Sequence, residues 1–148
     1  MLMGRAVSLE SGRRGLGAVL RRWDGFILAT TCKGLIGNFS PRATELFAAS
    51  LGLQLAKNGS FSHIVLEMDA KEVIVFLNSD EDCWSVDGAL VDSIKSLFNC
   101  FSVINCLYAP RDCNQAAHEL AKYALLFPDF HVWVCSSPVW LTHVLVEV

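Results

Sequence analysis

The sequence predicts an α/β fold, a mixed sheet flanked by helices with at least one parallel crossover. Three observations carry this. Two strand-like runs meet at Asp24-Gly25, a strong hairpin signal. A Ser40-Pro41 pair then opens a helical pattern. After it, short apolar strands at residues 63–68 and 101–108 are separated by helical periodicity.

Leu16 to Trp23 (LGAVLRRW) and Phe26 to Cys32 (FILATTC) are the hairpin strands, and residues 12–15 (GRRG) before them read as a turn. Ala6-Val7 reads as the remnant of one further strand. Leu46, Ala49, Leu53 and Ala56 recur at helical spacing up to Lys57, and Asn58-Gly59 stops that helix. His63 to Met68 is a short buried strand, and Asp69 is placed to cap a helix that turns Val73, Ile74 and Leu77 inward. Residues 79–86 form an acidic loop, and Asp87 caps a helix through Leu90, Ile94, Leu97 and Phe98. Phe101 to Tyr108 returns to strand. Asp112 and Gln115 make a D-x-x-Q capping pattern before a last helix with Ala117, Leu120, Ala121 and Ala124 on one face. Without linker, repeat or low-complexity segment, residues 1–148 read as a single domain, with 130–148, rich in Val and Trp, as a carboxyl-terminal arm.

A chain of 148 residues with 53% hydrophobic and 18% charged residues can bury a core and is not a disordered polymer. No apolar run is long enough to span a bilayer, and MLMGRAVSLES has no secretory h-region. The expected location is therefore intracellular, cytoplasm or nucleus, with no membrane association. The six cysteines (Cys32, Cys83, Cys100, Cys106, Cys113, Cys135) form no C-x-x-C pair and read as reduced thiols rather than zinc ligands.

The net charge of −3 opposes indiscriminate nucleic-acid binding, but its distribution is uneven. Residues 1–57 hold eight Lys/Arg against three Asp/Glu, and residues 58–148 hold four against twelve. The basic residues Arg5, Arg13, Arg14, Arg21, Arg22, Lys33, Arg42 and Lys57 are either a phosphate-facing surface or an ordinary solvated face.

Glu45 falls in the first turns of the first long helix and Asp69 at the carboxyl end of the following strand. Sites in open α/β sheets gather outside the carboxyl ends of strands. Carboxylates converging there repel unless a hard divalent cation joins them. Two such ions clamp an in-line phosphoryl displacement. Each residue also has a structural explanation: Glu45 gains from the helix dipole, and Asp69 is placed as an N-cap.

The segments GLGAVLRRWDGFILA (15–29), ATELFAASLGLQLAKNGSFSHIVLEMDA (43–70) and NQAAHELAKYAL (114–125), with the ending VWV…SPVWLTHVL (132–145), resemble the ribonuclease-H-like domain of plant retroelement-type proteins. The resemblance covers nearly the whole chain. It implies a mixed five-stranded sheet whose first three strands are antiparallel, here with the first strand cut short. It further implies cleavage of the RNA strand of RNA–DNA hybrids, with two Mg2+ (or Mn2+) held by four acidic residues; separately, the chain is expected to be a monomer. Of these, Glu45 matches the helix glutamate and Asp69 the fourth-strand aspartate. The first aspartate falls at Gly4, within MGRA, and the fourth at His118. Gly4 removes a ligand that bridges both metals. Imidazole at position 118 is a poor magnesium ligand, though acceptable to manganese or zinc and able to shuttle protons.

Glu45, Asp69 and His118 are thus the candidate catalytic residues, Glu45 and Asp69 the candidate metal ligands. Hybrid binding falls to Arg13, Arg14, Arg21, Arg22 and Asn114, because the stretch where bacterial members carry a basic protrusion is acidic here (SDEDCWSVD, 79–87). Three functions fit: an active hybrid ribonuclease, a non-catalytic retroelement-derived module binding nucleic acid or protein, and an unrelated small α/β interaction protein. The missing carboxylates favour the second.

Overall fold

The computed structural model describes residues 2–7, as backbone, and residues 12–79, 87–135 and 138–141. Three strands come first: β1 (Leu2–Val7), β2 (Arg13–Arg21) and β3 (Ile27–Ile36). Helix α1 (Pro41–Asn58) leads to β4 (His63–Met68), then α2 (Lys71–Asn78) and α3 (Gly88–Leu97). β5 (Val103–Tyr108), α4 (Gln115–Leu126) and β6 (His131–Val134) complete the order. The sheet runs β5-β4-β1-β2-β3-β6; β1 pairs in parallel with β4, and β4 with β5, while β1, β2, β3 and β6 are joined antiparallel. The expected mixed five-stranded sheet is therefore present, and the tail adds β6 at the β3 edge.

Alternation along β2 divides the interior. Ala18 and Leu20 join the core beneath α1, α2 and α3, which contains the fully buried Leu46, Leu53, Leu66, Met68 and Ile94. Val19 points the other way, into a second cluster with Cys32, Ala117, Leu120 and Leu141 under α4. Each fully buried Leu or Ile contributes roughly 1.5–3 kcal/mol by leaving water.

Several local expectations hold for the stated reason. Ser40 caps α1, its Oγ accepting from the Ala43 N–H at 3.0 Å, with Pro41 in the first turn. The hairpin closes through Arg22–Phe26, where Gly25 takes φ +88°. Others are corrected. Residues 13–15 of GRRG lie inside β2 rather than in a turn, because Gly15 pairs with Gly34 and both serve close packing. The remnant at Ala6-Val7 is a six-residue strand; Gly4 and Arg5, weak strand formers, hide it in the sequence. β5 begins at Val103 instead of Phe101.

The three aspartate caps do not form. Ala70 takes the cap position of α2, and Asp69 is drawn elsewhere. Asp87 occupies the cap position of α3 but makes no cap bond; its carboxylate accepts from Arg42 Nε at 2.9 Å. Asp112 lies in a 3-10 turn, Arg111–Asn114, and α4 starts behind Asn114 with no side-chain cap. Apart from Ser79 and Asp87, the acidic stretch 79–87 lies outside the described residues.

Candidate functional site

The site is built by the way α4 sits on the sheet. A β-carbon placed on Gly17 of β2 would stand 2.3 Å from the Ala117 carbonyl oxygen, so only glycine lets the helix backbone come this near. α4 answers with Ala117, Ala121 and Ala124, all fully buried. His118 follows Ala117 directly and lies at the carboxyl end of the parallel strands. There its Nε2 meets Asp69 Oδ2 at 3.0 Å. Both side chains are largely withdrawn from water, at 9% and 16% exposure. An ionised carboxylate only accepts, so the ring nitrogen donates. The other oxygen of Asp69, Oδ1, is buried with no hydrogen-bond partner among the described residues.

Glu45 is the fifth residue of α1 and is buried to 5% exposure; α1 packs through Leu46, Ala49, Leu53 and Ala56 on the face of the sheet opposite α4. Position 4 lies in β1, directly opposite Gly17 and between β2 and β4. Opposed residues of an antiparallel pair share a face. Position 4 therefore falls on the α4 side, and glycine brings it no side-chain oxygen. Among the described residues, no three His, Cys, Asp or Glu side chains are grouped so as to hold a metal ion.

Asn114 stands one helical turn before His118. It is fully buried, with neither amide atom hydrogen-bonded among the described residues. The arginines named from the sequence divide. Arg14, half-buried, donates through Nε to the Phe39 carbonyl at 3.0 Å. Arg22 pairs with Asp24 at 2.7 Å and lies over the Phe26 ring. The hydrogen bond within that pair raises the Arg22 pKa and lowers that of Asp24. Arg13 is exposed and Arg21 partly so. Arg42 is committed to Asp87 and Glu72, tying α1 to α2 and to the start of α3.

Sequence reasoning named both His118 and Asp69 but missed that they bond. The signal available was weak: an Asp at a strand end and a His on the last helix, 49 residues apart.

The sequence profile described as reverse transcriptase-like matches residues 4–124. The chain belongs to the reverse transcriptase-like family. Solved structures agree on the architecture of this reverse transcriptase-like chain, which is RNase-H-like. RNase H1 from the halophilic archaeon Halobacterium salinarum NRC-1 is 26% identical, with a TM-score of 0.77 over 84% of this chain and 95% of its own. The N-terminal RNase H domain of rv2228c from Mycobacterium tuberculosis, solved as a fusion with maltose binding protein, is 24% identical, with a TM-score of 0.76 over 86% and 92%. LC11-RNase H1, solved in complex with an RNA/DNA hybrid, is 17% identical and superposes with a TM-score of 0.74 over 84% and 94%. A comparison with curated protein sequences found no match. Among the described residues, no helix is long and apolar enough to cross a membrane.

Proposed function

We propose that this reverse transcriptase-like chain is a nucleic-acid-binding domain that engages RNA–DNA hybrids without cleaving their RNA strand by two-metal hydrolysis. The observation that carries the reading is the His118–Asp69 bond: the carboxylate at the end of β4 spends one oxygen on an imidazole N–H 3.0 Å away. Two magnesium ions need a set of hard oxygen ligands at the same crevice. The residues present do not fit that requirement. Position 4 is glycine, position 118 is a nitrogen donor, and among the described residues no three His, Cys, Asp or Glu side chains are grouped so as to hold a metal ion.

Binding without this chemistry rests on weaker and more distributed contacts. Exposed Arg13 and partly exposed Arg21 offer charge to phosphates, and an A-form hybrid is recognised through backbone and 2′-hydroxyls rather than base identity. That LC11-RNase H1 was solved with a hybrid supports this choice of ligand.

The test is a labelled RNA–DNA hybrid, followed by anisotropy across a salt series and by gel after incubation with Mg2+ or Mn2+. The expected result is binding that weakens steadily with salt and no RNA cleavage with either metal. Cleavage in either metal that Glu45→Ala abolishes would overturn the non-cleaving reading and restore a ribonuclease. Binding absent, or insensitive to salt, would overturn the nucleic-acid reading. The double variant Gly4→Asp, His118→Asp shows whether two carboxylates are all the crevice lacks, since cleavage gained there with none in the parent confirms a residue-level block.

A further inference from the structure

β6 is an edge of the sheet, and its backbone groups alternate between β3 and the outside. The Cys135 N–H donates to the Leu28 carbonyl at 2.6 Å, so these two residues face each other as a hydrogen-bonded pair. Such pairs recur at every second residue of an antiparallel ladder. With Thr30 opposite Trp133 and Cys32 opposite His131, the backbone groups of His131, Trp133 and Cys135 turn toward β3. Those of Val132 and Val134 turn outward, and among the described residues no strand pairs with that side.

This edge is short but otherwise unguarded. Edges left in water usually carry charge, proline or a cover that keeps other chains from pairing with them. Residues 130–135 (FHVWVC) contain no Asp, Glu, Lys, Arg or Pro. The opposite edge differs: on β5 the Cys106 carbonyl accepts from Asn78 Nδ2 of α2 at 3.0 Å.

The side chains beside the bare edge are apolar as well. Phe130 is 60% exposed, Val132 39% and Val134 70%. Together they flank a groove of about 420 Å³ that Leu51 and Leu55 of α1 border from the other side, with Leu28 between. Among the described residues no charged side chain lines it. What satisfies both the outward N–H and C=O groups and this groove is an extended backbone with apolar side chains on one face. β6 is itself such a segment.

We propose that β6 pairs antiparallel with β6 of a second copy, about a two-fold axis through Trp133, joining two six-stranded sheets into one. Val132 of one copy then lies opposite Val134 of the other, and each such pair exchanges two backbone bonds because both residues point outward. Opposed residues share a face, so valine meets valine on the α1 side and Trp133 meets Trp133 on the other. The symmetry makes every contact twice, and a strand without charge sets no charge against its like. One short strand and a groove fall below the area of a standard interface, so the dimer forms at roughly micromolar concentrations or above. β2 and β3 separate β6 from β1 and β4, and the proposal stands independently of nucleic-acid binding.

Sedimentation velocity on the full chain, from about 1 to about 300 μM, tests it. The parent should pass from the mass of one chain, 16.3 kDa, to twice that mass. Val134→Pro removes an outward N–H and leaves the β3 ladder its bonds, since proline is tolerated on the open side of an edge strand. Val134→Lys adds the guard that the edge lacks. Each should weaken association at least about tenfold, with the urea midpoint of the dilute chain unchanged. If proline disturbs the strand, a fallen midpoint shows it and the lysine variant decides. A parent that stays a single chain throughout overturns the proposal, and uptake of the neutral dye phenylnaphthylamine by that chain assigns the groove to an apolar small ligand instead. Association that survives Val134→Lys overturns it too, by placing the contact elsewhere. So does growth beyond two chains, which marks head-to-tail pairing of unlike edges.

Discussion

Gly15 lies so close beneath Ala121 that a β-carbon at position 15 would stand 1.9 Å from the Ala121 carbonyl oxygen. The obstacle is helix backbone, which cannot rotate away like a flexible side chain. Gly15→Ala must therefore lift α4 from β2, and the variant should lose about 3 kcal/mol or more, at or above the upper end of ordinary overpacking. Urea unfolding checks this: the midpoint should fall with an unchanged slope. Gly25 is a control of opposite character, open space with φ +88°. Gly25→Ala should cost only about 1 kcal/mol, through backbone conformation alone.

The bond between His118 Nε2 and Asp69 Oδ2 joins two elements that the sequence separates by 49 residues. His118→Ala strands a mostly buried carboxylate, which should cost roughly 1–3 kcal/mol. Asp69→Asn keeps an acceptor oxygen and should cost less. In a double-mutant cycle with His118→Ala and Asp69→Ala, the pair should couple by about 1 kcal/mol or more. Additive losses would mean that the two side chains are merely neighbours.

The legible parts of this fold are those governed by local chemistry. His63–Met68 is a strand with the predicted limits because its apolar run is bounded by Ser62 and Asp69, and Ser40 caps α1 because the capping bond spans only three residues. The errors arise where a distant partner outbids a local one. Asp69 leaves its cap for His118, and Asp87 leaves its cap for Arg42. Residues 13–15 look like a turn because their glycine is read as flexible, whereas it serves helix-to-sheet contact at Ala121, over 100 residues away. Of the candidates Glu45, Asp69 and His118 that the sequence offers, the structure brings Asp69 and His118 together. That connection was not legible, since nothing local in the sequence states which carboxylate an imidazole will meet.

His118→Asp replaces a donor to Asp69 by a second carboxylate. Two buried like charges at hydrogen-bond distance repel, and one is driven to take up a proton unless a cation intervenes. The variant should melt below the parent in EDTA and recover part of the difference in millimolar Mg2+, while the parent melts alike in both. Equal melting of the variant with and without the cation would show that the crevice cannot seat one even with the carboxylate restored.

Ser40 accounts for one of the unpaired N–H groups at the start of α1, and its backbone carbonyl accepts from Thr44 Oγ1 at 2.8 Å. Ser40→Ala should cost about 1 kcal/mol. Ser40→Asp should restore that loss, because aspartate caps equally well and its charge suits the helix dipole. Thermal unfolding of the two variants beside the parent decides. A loss in both would place the role of Ser40 in packing rather than capping.

Burial pushes the Cys32 thiol up to about 12 and that of Cys106 to about 11, from an ordinary value of 9.0. Cys100, Cys113 and Cys135 are exposed. Thiolate is the reactive form, so among the described cysteines iodoacetamide at mildly alkaline pH should label Cys100, Cys113 and Cys135 in the folded chain, leaving Cys32 and Cys106 until urea is added. The same shift sets a pH dependence. Between 9.0 and the raised values the unfolded chain has released these protons and the folded chain retains them. The unfolded state then binds fewer protons, and stability falls as pH rises. The contribution is fully present below pH 9.0 and is lost progressively from there toward about 12. Cys32→Ala, Cys106→Ala should flatten that alkaline decline in a series of urea midpoints. An unchanged slope in the double variant would assign the decline to other groups.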